Sequence, residues 1–542
     1  MLILGITGGH DANWCVVRDG EVLGAFEKER FSRIRHSPGN VMEYLPATLA
    51  RLGLTIRDID LVATSEPVHR NTEAGFRRIA GRTYRFISEW EHQVVEVLGR
   101  MLPCVSIPHH LAHAAYARYT SGEPEVSVIT WDGGGDFYTE DAYTSTSVSL
   151  WKGNRLEWIE RVPNSDFGSL WFTYSRAVFA DPQQAGKLMG LAGYGSDRLD
   201  AAFAERFGVP QDEVFAGATT IKDCWPDYEH PPFVPGDLTW RDQQAKDIAH
   251  AIQNLTTSAG LSLSRVVHEL TGTSALALAG GVALNGYLNT AIRDRGPFER
   301  LWVPPAVDDG GLSVGCALFA AHHVLGGEYS PAKDFDWARL GMWYEDREVR
   351  QALESASGIE FEQVEPAEAV DHTAREMAEG RAVAWVDGRA EHGPRALGGR
   401  SIISPAHSDL HRTRLNAEVK FREEFRPVAP FTTRDHVEDY FHTADSPYMM
   451  FIVDCTERAA RDIPAAVHID GTARVQTVDA DAPFGLIAER TGQLGLPPVL
   501  INTSFNVSEP IVNTPSQAVA TFVRSPLDSM YLDGYLVSRK RR

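Results

Sequence analysis

Three short apolar runs in this chain each end in a cluster of glycines. MLILGI precedes TGGHD at the N-terminus, VSVITW (126–131) runs into DGGGD, and SALALA (274–279) runs into GGVALN. Runs of this length predict buried strands. Glycines at their ends allow bare backbone N–H groups to approach a phosphate or a sugar, although a purely structural turn is the alternative at each place. The repetition indicates a nucleotide-handling α/β protein.

Strand and turn signals divide the chain in two. Near the N-terminus, NWCVVRDGEVLGAF predicts two strands joined by a hairpin turn at Asp19-Gly20. A segment rich in Gly, Pro and charge at 325–345 follows the helical pattern LSVGCALFAAHHVL and marks a boundary. Beyond it, AVAWV (382–386), PVLIN (498–502) and MYLDGYLV (530–537) predict strands. We expect a first domain over 1–335 and a second over 346–542.

Composition excludes several classes of function. A chain of 542 residues is longer than a single hydrophobic core usually supports, so two or more domains are expected. Its 52 basic and 73 acidic residues give a net charge of -21, which disfavours nucleic acid and anionic membranes as partners. Five scattered cysteines lack C-x-x-C spacing and suit a reducing compartment. The N-terminus has no basic leader, and no apolar run could span a bilayer, so we expect a cytoplasmic protein.

The stretch SIPHHLAHAAYARY (106–119) carries a candidate metal site. His109 and His113 are four residues apart, which places both imidazoles on one helix face. Such spacing is often structural or incidental. His110 occupies the place of the glutamate in H-E-x-x-H, so a zinc-protease mechanism is disfavoured.

Two carboxylates in the same half of the chain could complete that site. Asp132 opens DGGGD directly after a predicted strand, and Asp309 lies in PPAVDDGGLSVG before a predicted helix. Each could instead be a turn residue or a helix cap. A set of two His and two Asp would suit iron(II), manganese or zinc.

The second domain contains a basic segment in an acidic protein. Residues 387–426 hold eight Lys or Arg against six Asp or Glu. Arg395 and Arg400 follow Gly and Pro in small-residue loops, where a guanidinium can bind a compact anion bidentately. A solvated basic face is the alternative, but surface faces rarely contain so much glycine and proline. Arg474 and LINTSFN (500–506) also suit a phosphate-sized ligand.

These motifs, taken in order, resemble the O-carbamoyltransferases of the nodulation, cephamycin and aminoglycoside tailoring group (NodU/CmcH family), and the resemblance runs essentially end to end. It rests on GHDA at 9–12, ERFSR at 29–33, HH-x-x-H, D-G-x-G-D, GK-x-MGLA-x-YG, GGVA-x-N, GPRALG-x-RSI, N-x-x-x-K-x-RE-x-FRP, DGTAR-x-Q and NTSFN. One departure is Asn13-Trp14-Cys15, where many relatives have small residues. This bulk either reshapes an acceptor pocket or packs the sheet.

The resemblance implies a fold and a reaction. An N-terminal actin-like (ASKHA, TsaD-like) domain would be followed by a C-terminal YrdC-like α/β domain. The YrdC-like domain would form carbamoyl adenylate from carbamoyl phosphate and ATP with Mg²⁺. The actin-like domain would then transfer the carbamoyl group to a hydroxyl of a small-molecule acceptor, a secondary metabolite or a sugar. A homodimer is plausible.

The resemblance also implies roles for individual residues. A divalent metal, for which the family suggests Fe²⁺, would be held by His109, His113, Asp132 and Asp309. Nucleotide contacts would come from Gly133, Gly134, Asp136, Lys187, Gly280, Gly281 and Asn285. Carbamoyl phosphate and the ATP phosphates would be bound by Arg395, Arg400, Lys420, Arg426, Arg474, Asn502, Thr503 and Ser504. The attacking alcohol must lose a proton, and we expect His10, oriented by Asp11, to accept it; the alternative is a turn histidine.

Two other functions fit part of the sequence. A metal-dependent small-molecule kinase of the actin-like fold would explain the N-terminal turns but leave the arginine-rich second domain without a role. A non-catalytic nucleotide-binding regulator would need neither the metal ligands nor the anion loops.

Overall fold

A computed structural model describes residues 1–65, 91–135, 144–163, 167–206, 238–329 and 335–540. The chain forms two compact units, one comprising Met1–Lys28 and His36–Trp337, the other Glu29–Arg35 and Ala338–Arg542. The sequence did not predict that residues 29–35 belong to the second unit. Within the described ranges, no helix has the length and apolar content needed to cross a bilayer.

The first unit contains two mixed sheets. Its strands are β1 Leu2–Thr7, β2 Asn13–Arg18, β3 Glu21–Glu27, β4 Leu61–Thr64, β5 Glu91–Val97, β6 Arg100–Ser106, β7 Glu125–Trp131, β8 Thr144–Lys152, β9 Arg155–Pro163, β10 Ala275–Ala279 and β11 Arg300–Trp302. The helices are α1 Lys28–Ser32, which continues into the second unit, α2 Leu45–Arg51, α3 His109–Thr120, α4 Phe167–Phe179, α5 Ala185–Ala192, α6 Asp200–Arg206, α7 Gln243–Thr271, α8 Gly286–Arg295 and α9 Leu312–Phe319.

The two sheets repeat one topology. The first has the order β3-β2-β1-β4-β6-β5 and the second β9-β8-β7-β10-β11. In each sheet the three strands that come first along the chain are antiparallel neighbours. Two later strands, β4 and β6 in the first sheet and β10 and β11 in the second, then continue the sheet on the other side of β1 or β7 and run parallel to it. The first unit is therefore built from two halves of similar design.

Helices α3 and α9 lie between the sheets. Helix α9 packs on β1 and β2, α3 packs on β7 and β10, and the two helices pack on each other. Glycine permits this close approach: a Cβ on Gly315 would overlap the carbonyl of Ala112, and one on Gly5 would overlap the carbonyl of Ser313. Nearly every residue of α3 is buried, so its histidines are held in a rigid environment.

The second unit contains an eight-stranded sheet with the order β12-β21-β20-β13-β14-β19-β15-β18 and a two-stranded ribbon, β16-β17. Its strands are β12 Ile359–Gln363, β13 Val383–Val386, β14 Arg400–Pro405, β15 Ala429–Thr433, β16 Val453–Asp454, β17 Thr472–Ala473, β18 Gln476–Val478, β19 Leu500–Ser504, β20 Ser529–Leu532 and β21 Tyr535–Arg539. Its helices are α10 Asp346–Glu354, α11 Pro366–Ala378, α12 Asp409–Arg414, α13 Arg434–Tyr440, α14 Glu457–Asp462, α15 Pro483–Gln493 and α16 Pro515–Arg524.

Strand β13 shows why the sequence predicted buried strands here. Val383 and Trp385 join one apolar cluster, and Ala384 and Val386 join the other. Because both faces of the strand are covered, its sequence is continuously apolar instead of alternating.

Most expected strands are confirmed, and one needs correction. The first hairpin turns at Asp19 and Gly20, whose φ values of 50° and 88° are those of a type I′ turn. MYLDGYLV is not one strand. It forms β20 and β21, joined at Asp533 and Gly534 with φ values of 39° and 95°. The Asp-Gly pair therefore makes the same turn in both places.

Candidate functional site

Helix α3 brings two histidines to one point. The helix begins at His109, directly after Pro108, and His113 follows one turn later. The His113 side chain is 1% exposed and that of His109 is 21% exposed. His110 lies on another face, with Nδ1 3.1 Å from the Ser147 hydroxyl and Nε2 3.2 Å from the Gly134 carbonyl. His110 therefore supports the loop after β7.

Two aspartates converge on these histidines. Asp132 directly follows β7, and Asp309 begins the turn that leads into α9. The His113 Nε2 atom lies 3.1 Å from Asp132 Oδ2 and 3.2 Å from Asp309 Oδ1, and His109 Nε2 lies 3.1 Å from Asp132 Oδ2. One ligand atom from each residue fits within 4.8 Å of the others.

The histidines and aspartates of this cluster shift one another's pKa values. Burial opposes protonation of His113, but hydrogen bonds to Asp132 and Asp309 outweigh it and raise the pKa to about 10. The pKa values of both aspartates are lowered because the histidines overcome the effect of burial. A divalent cation would replace these protons. Two imidazoles and two carboxylates form a donor set that suits a borderline divalent ion.

A second cluster follows β1. His10 Nδ1 lies 3.1 Å from Asp11 Oδ2 and 3.4 Å from Asp309 Oδ2. The sequence analysis missed His36, whose Nδ1 lies 2.9 Å from Asp11 Oδ1 and whose ring stacks on that of His10 at 5.3 Å. Asp11 thus joins two imidazoles through its two oxygens. A histidine three residues after ERFSR was the available signal.

The residues at 13–15 pack the sheet. Asn13 is fully buried, and its amide donates to the carbonyls of Asp11 and Asp309 while its oxygen accepts the Ser313 N–H. Trp14 and Cys15 are also fully buried, and Trp14 Nε1 donates to the Thr48 hydroxyl. Asn13 therefore ties together the two loops that carry Asp11 and Asp309, and the bulk of Trp14 and Cys15 is packed inside the protein.

The glycine turns adjoin the same carboxylate. Asp132 Oδ1 accepts the N–H of Gly133 at 2.7 Å, and the N–H of Gly281 points to it at 3.4 Å. Gly280 has a φ of 86°, and a Cβ there would overlap the Trp131 carbonyl. The ends of the neighbouring strands β7 and β10 therefore meet at Asp132.

The other residues expected to bind nucleotide are placed less directly. The Asn285 side chain caps α8 through the Leu288 N–H and exchanges two hydrogen bonds with Gln253, so its polar atoms are already used. Lys187 is half-buried in α5, with its ammonium 5.5 Å from the Phe179 ring centre. Asp136 lies outside the described residues.

The second unit gathers four arginines. Burial lowers the pKa of Arg474 well below its usual range, and the charges of Arg395, Arg422 and Arg426 lower it further. The pKa of Arg422 falls to about 9 for the same reasons. Arg474 Nε is buried and has no hydrogen-bond partner among the described residues. The cluster has an excess of positive charge, opposed by Glu423, whose carboxylate is 3.9 Å from Arg426 Nη1.

The side chains of Arg400 and Lys420 are turned to the backbone, and their expected role as phosphate ligands stays a prediction. The Arg400 guanidinium is buried and donates to the carbonyls of Gly399 at 2.8 Å and Gly388 at 3.1 Å. The Lys420 ammonium donates to the carbonyls of Ser504 at 2.6 Å and Asn506 at 2.9 Å. Both side chains hold loops together.

The residues at the end of β19 divide in the same way. Asn502 is buried and donates to the Ala396 carbonyl and to Gln476 Oε1. The Ser504 hydroxyl donates to Asn506 Oδ1. Thr503 is partly exposed on the same strand. Asn502 therefore fixes the loop that carries Arg395, whereas Thr503 is partly exposed to solvent.

The ERFSR segment packs entirely within the second unit. Arg33 donates to the carbonyls of Pro510 and Ile511, both at 2.6 Å, and Arg30 donates to that of Gly393 at 2.6 Å. Arg35 donates to the Ser508 carbonyl at 2.8 Å. This explains why residues 29–35 belong to the second unit, which local sequence patterns could not show.

Comparisons with known proteins agree across both units. Residues 77–318 match the family model "Carbamoyltransferase N-terminus" and residues 374–539 match "Carbamoyltransferase C-terminus". The nodulation protein NolNO of Sinorhizobium fredii is 30% identical over 100% of this chain and 83% of its own length. Nodulation protein U of the same species is 28% identical over 93% of this chain and 94% of its own length.

Similarity to solved structures is weaker. Full-length HypF, in its phosphate- and nucleotide-bound form, is 17% identical over 61% of this chain and 47% of its own, with a TM-score of 0.33. A score of this size carries no argument about the fold. The family models and the relatives nevertheless cover both units, and the chain belongs to the carbamoyltransferase family.

Proposed function

We propose that this protein is an ATP-dependent O-carbamoyltransferase. The second unit would form carbamoyl adenylate from carbamoyl phosphate, water and ATP with Mg²⁺, releasing inorganic phosphate and pyrophosphate. The first unit would transfer the carbamoyl group to a hydroxyl of a small molecule such as a secondary metabolite or a sugar. The observation that carries the proposal is the buried arginine cluster of the second unit.

That cluster is suited to an anion. Three neighbouring guanidiniums lower the pKa of Arg474, and Arg426 lowers that of Arg422. This repulsion would destabilise the ligand-free protein, and a bound phosphoryl group would relieve it. Arginine binds phosphate oxygens bidentately, and the Arg474 Nε–H awaits an acceptor. Carbamoyl phosphate and the ATP phosphates are anions of the required kind. Arg395, Arg426 and Arg474 are the residues proposed to bind them.

The first unit offers the groups that the transfer step needs. A divalent ion held by His109, His113, Asp132 and Asp309 would act as a Lewis acid toward the phosphate of the adenylate. Fe²⁺ is the ion proposed. Gly133 and Gly281 present backbone N–H groups beside it, where an adenosine phosphate could approach.

The proton of the acceptor hydroxyl is assigned to His10. Its Nδ1 faces Asp11 Oδ2 and Asp309 Oδ2, and hydrogen bonding to Asp309 together with the nearby carboxylate charges raises the pKa of His10 to about 9, so His10 would act as the base in its neutral form, through Nε2. As the alcohol oxygen bonds to the carbamoyl carbon, the bond to AMP breaks and the proton passes to His10 Nε2. The tautomer resembles that of catalytic histidines whose second nitrogen is held by a carboxylate.

The architecture supports this function. The repeated sheet order of the first unit supports an actin-like domain, and the mixed eight-stranded sheet of the second is the candidate YrdC-like domain. A small-molecule kinase would leave the arginine cluster unexplained. A non-catalytic regulator would need no buried His and Asp set.

Product analysis tests the proposal. The protein is incubated with ATP, carbamoyl phosphate and a panel of alcohols, and the products are identified by mass spectrometry. We expect a carbamoylated alcohol together with AMP, pyrophosphate and the inorganic phosphate released from carbamoyl phosphate. An alcohol that gains a phosphoryl group would indicate the kinase, and the absence of any ATP-dependent product across the panel would favour the regulator. Arg474→Met should abolish pyrophosphate release, whereas His10→Asn should abolish only transfer.

A further inference from the structure

His468 lies beside the arginine cluster and is used by no step above. It begins the turn before β17, where its N–H donates to the Thr472 carbonyl at 2.7 Å. Its Nδ1 lies 3.0 Å from the Thr472 hydroxyl oxygen, and that hydroxyl lies 2.7 Å from Asp470 Oδ1. The ring is thus one end of a short hydrogen-bonded chain.

This chain fixes the tautomer of the imidazole. A carboxylate only accepts hydrogen bonds, so the Thr472 hydroxyl donates its proton to Asp470. The hydroxyl oxygen can then only accept from His468, whose Nδ1 therefore carries the proton. Burial, reinforced by the charges of Arg474 and Arg412, lowers the pKa of His468 to about 4, so the ring is neutral at physiological pH. Its Nε2 is an unprotonated acceptor.

The Nε2 acceptor is buried and unsatisfied. It makes no hydrogen bond to any residue in the part of the chain that the structure describes. A buried polar atom without a partner costs about 1–3 kcal/mol and calls for an explanation. Arg474 Nε, a buried donor, is unsatisfied in the same way.

The two unsatisfied atoms belong to one region. Arg474 follows Thr472 by two residues, just after the end of β17. The His468 ring is bonded to the Thr472 hydroxyl and therefore lies at the same end of that strand. The charge of Arg474 also acts directly on His468. Among the arginines of the cluster, which only donate hydrogen bonds, His468 contributes an acceptor.

We propose that His468 is a specificity-determining residue that accepts a hydrogen bond at Nε2 from the amino group of carbamoyl phosphate. The proposal rests on the function proposed above and names the residue that recognises the carbamoyl end of the substrate. The arginines bind the phosphoryl oxygens but cannot recognise an –NH2 group, which is also a donor. Acetyl phosphate has a methyl group there and would leave Nε2 unpaired.

Two substitutions at His468 distinguish the roles of the two ring nitrogens. In His468→Gln the side-chain oxygen reaches about as far as Nε2 and can accept a hydrogen bond. In His468→Asn the shorter amide reaches only the Thr472 side. The readouts are the KM for carbamoyl phosphate, the KM for ATP and the inhibition constant of acetyl phosphate, all from ATP-dependent pyrophosphate release, with thermal melting to confirm folding.

We expect His468→Asn to raise the KM for carbamoyl phosphate about tenfold or more, as for the loss of one buried hydrogen bond, and to leave the KM for ATP and acetyl phosphate inhibition unchanged. His468→Gln should retain most of the preference. Equal rises in the carbamoyl phosphate KM and the acetyl phosphate constant would overturn the proposal, as would a His468→Asn enzyme that retains the wild-type preference.

Thr472→Val provides a second test, which decides the matter if His468→Asn does not fold. It removes the hydroxyl that fixes the tautomer at nearly constant volume, so the preference for carbamoyl over acetyl phosphate should fall severalfold. An unchanged preference would refute the role of His468. Wild-type protein that consumes no carbamoyl phosphate with ATP would instead refute the proposed function.

Discussion

Two buried arginines of the second unit should respond to the same substitution with opposite signs. Both have a buried Nε without a partner among the described residues, but Arg474 belongs to a cluster of like charges, whereas Arg400 donates through Nη1 and Nη2 to several backbone carbonyls. Two positive charges about 7 Å apart repel by about 2 kcal/mol at an effective dielectric constant near 20. We therefore expect Arg474→Met to raise the free energy of unfolding of the ligand-free protein by about 1–3 kcal/mol.

Arg400→Met should do the reverse. It would leave the buried carbonyl of Gly399 and the part-buried hydrogen bond to the Gly388 carbonyl without their donor, in the segment that precedes β14. Losing hydrogen bonds to a buried charged group typically costs about 3–5 kcal/mol when several acceptors are left unpaired. Each variant removes one buried guanidinium from the second unit, so each is the matched control for the other.

Urea unfolding with and without pyrophosphate measures both effects. At a ligand concentration of about 100 times Kd, binding stabilises the wild-type protein by about 2.7 kcal/mol. Arg474→Met should lose this stabilisation, whereas Arg400→Met should retain it relative to its own lower baseline. An Arg474→Met protein that is destabilised like Arg400→Met, or that is still stabilised by pyrophosphate, would refute the argument that the cluster exists to bind an anion.

Three further outcomes are expected. Asp132→Asn should lower the bound divalent metal, measured by elemental analysis after loading with Fe²⁺, to below about a tenth of the wild-type amount, because two of the histidine contacts are to its carboxylate. His36→Asn should retain the hydrogen bond that His36 Nδ1 makes to Asp11 and lose less kcat than His36→Gln, with the acceptor KM unchanged in both. Burial raises the pKa of Asp533 to about 6 in the folded protein, so its contribution to stability falls as pH rises from about 4 to 6. Asp533→Asn should therefore match the wild type near pH 4 and exceed its stability by about 2 kcal/mol above pH 6 in urea titrations.

Local patterns in the sequence identified much of the fold. The apolar runs at β1, β7, β10, β13 and β19 are strands because each is buried, and the Asp-Gly turn at 19–20 requires positive φ at both positions. His109 and His113 could be paired from helical spacing alone. The bounds of these elements depend on residue type and local chemistry, which the sequence records directly.

The roles of the arginines could not be read in the same way. Arg395 and Arg400 follow similar Gly-rich stretches, yet Arg400 is held by the carbonyls of Gly388 and Gly399, which a loop brings to it. Arg33 donates to backbone groups nearly five hundred residues away. Which acceptors meet a guanidinium depends on tertiary packing, and a local motif does not contain that information.

The candidate metal site shows how residues distributed along the chain are brought to one point. In the two halves of the first unit, β1 and β7 are equivalent strands, and the turns that follow them carry Asp11 and Asp132. The helices that follow the last parallel strands, α3 and α9, begin at His109 and just after Asp309.

Each half therefore contributes one strand end and one helix start, and the packing of α3 on α9 brings all four together. No repeat is visible in the sequence because the duplication concerns topology, and the equivalent positions carry different residues. The second half supplies two carboxylates and the first supplies the histidines. Such a division explains why one side of the centre can hold a metal while the other, at His10, Asp11 and His36, can hold a proton.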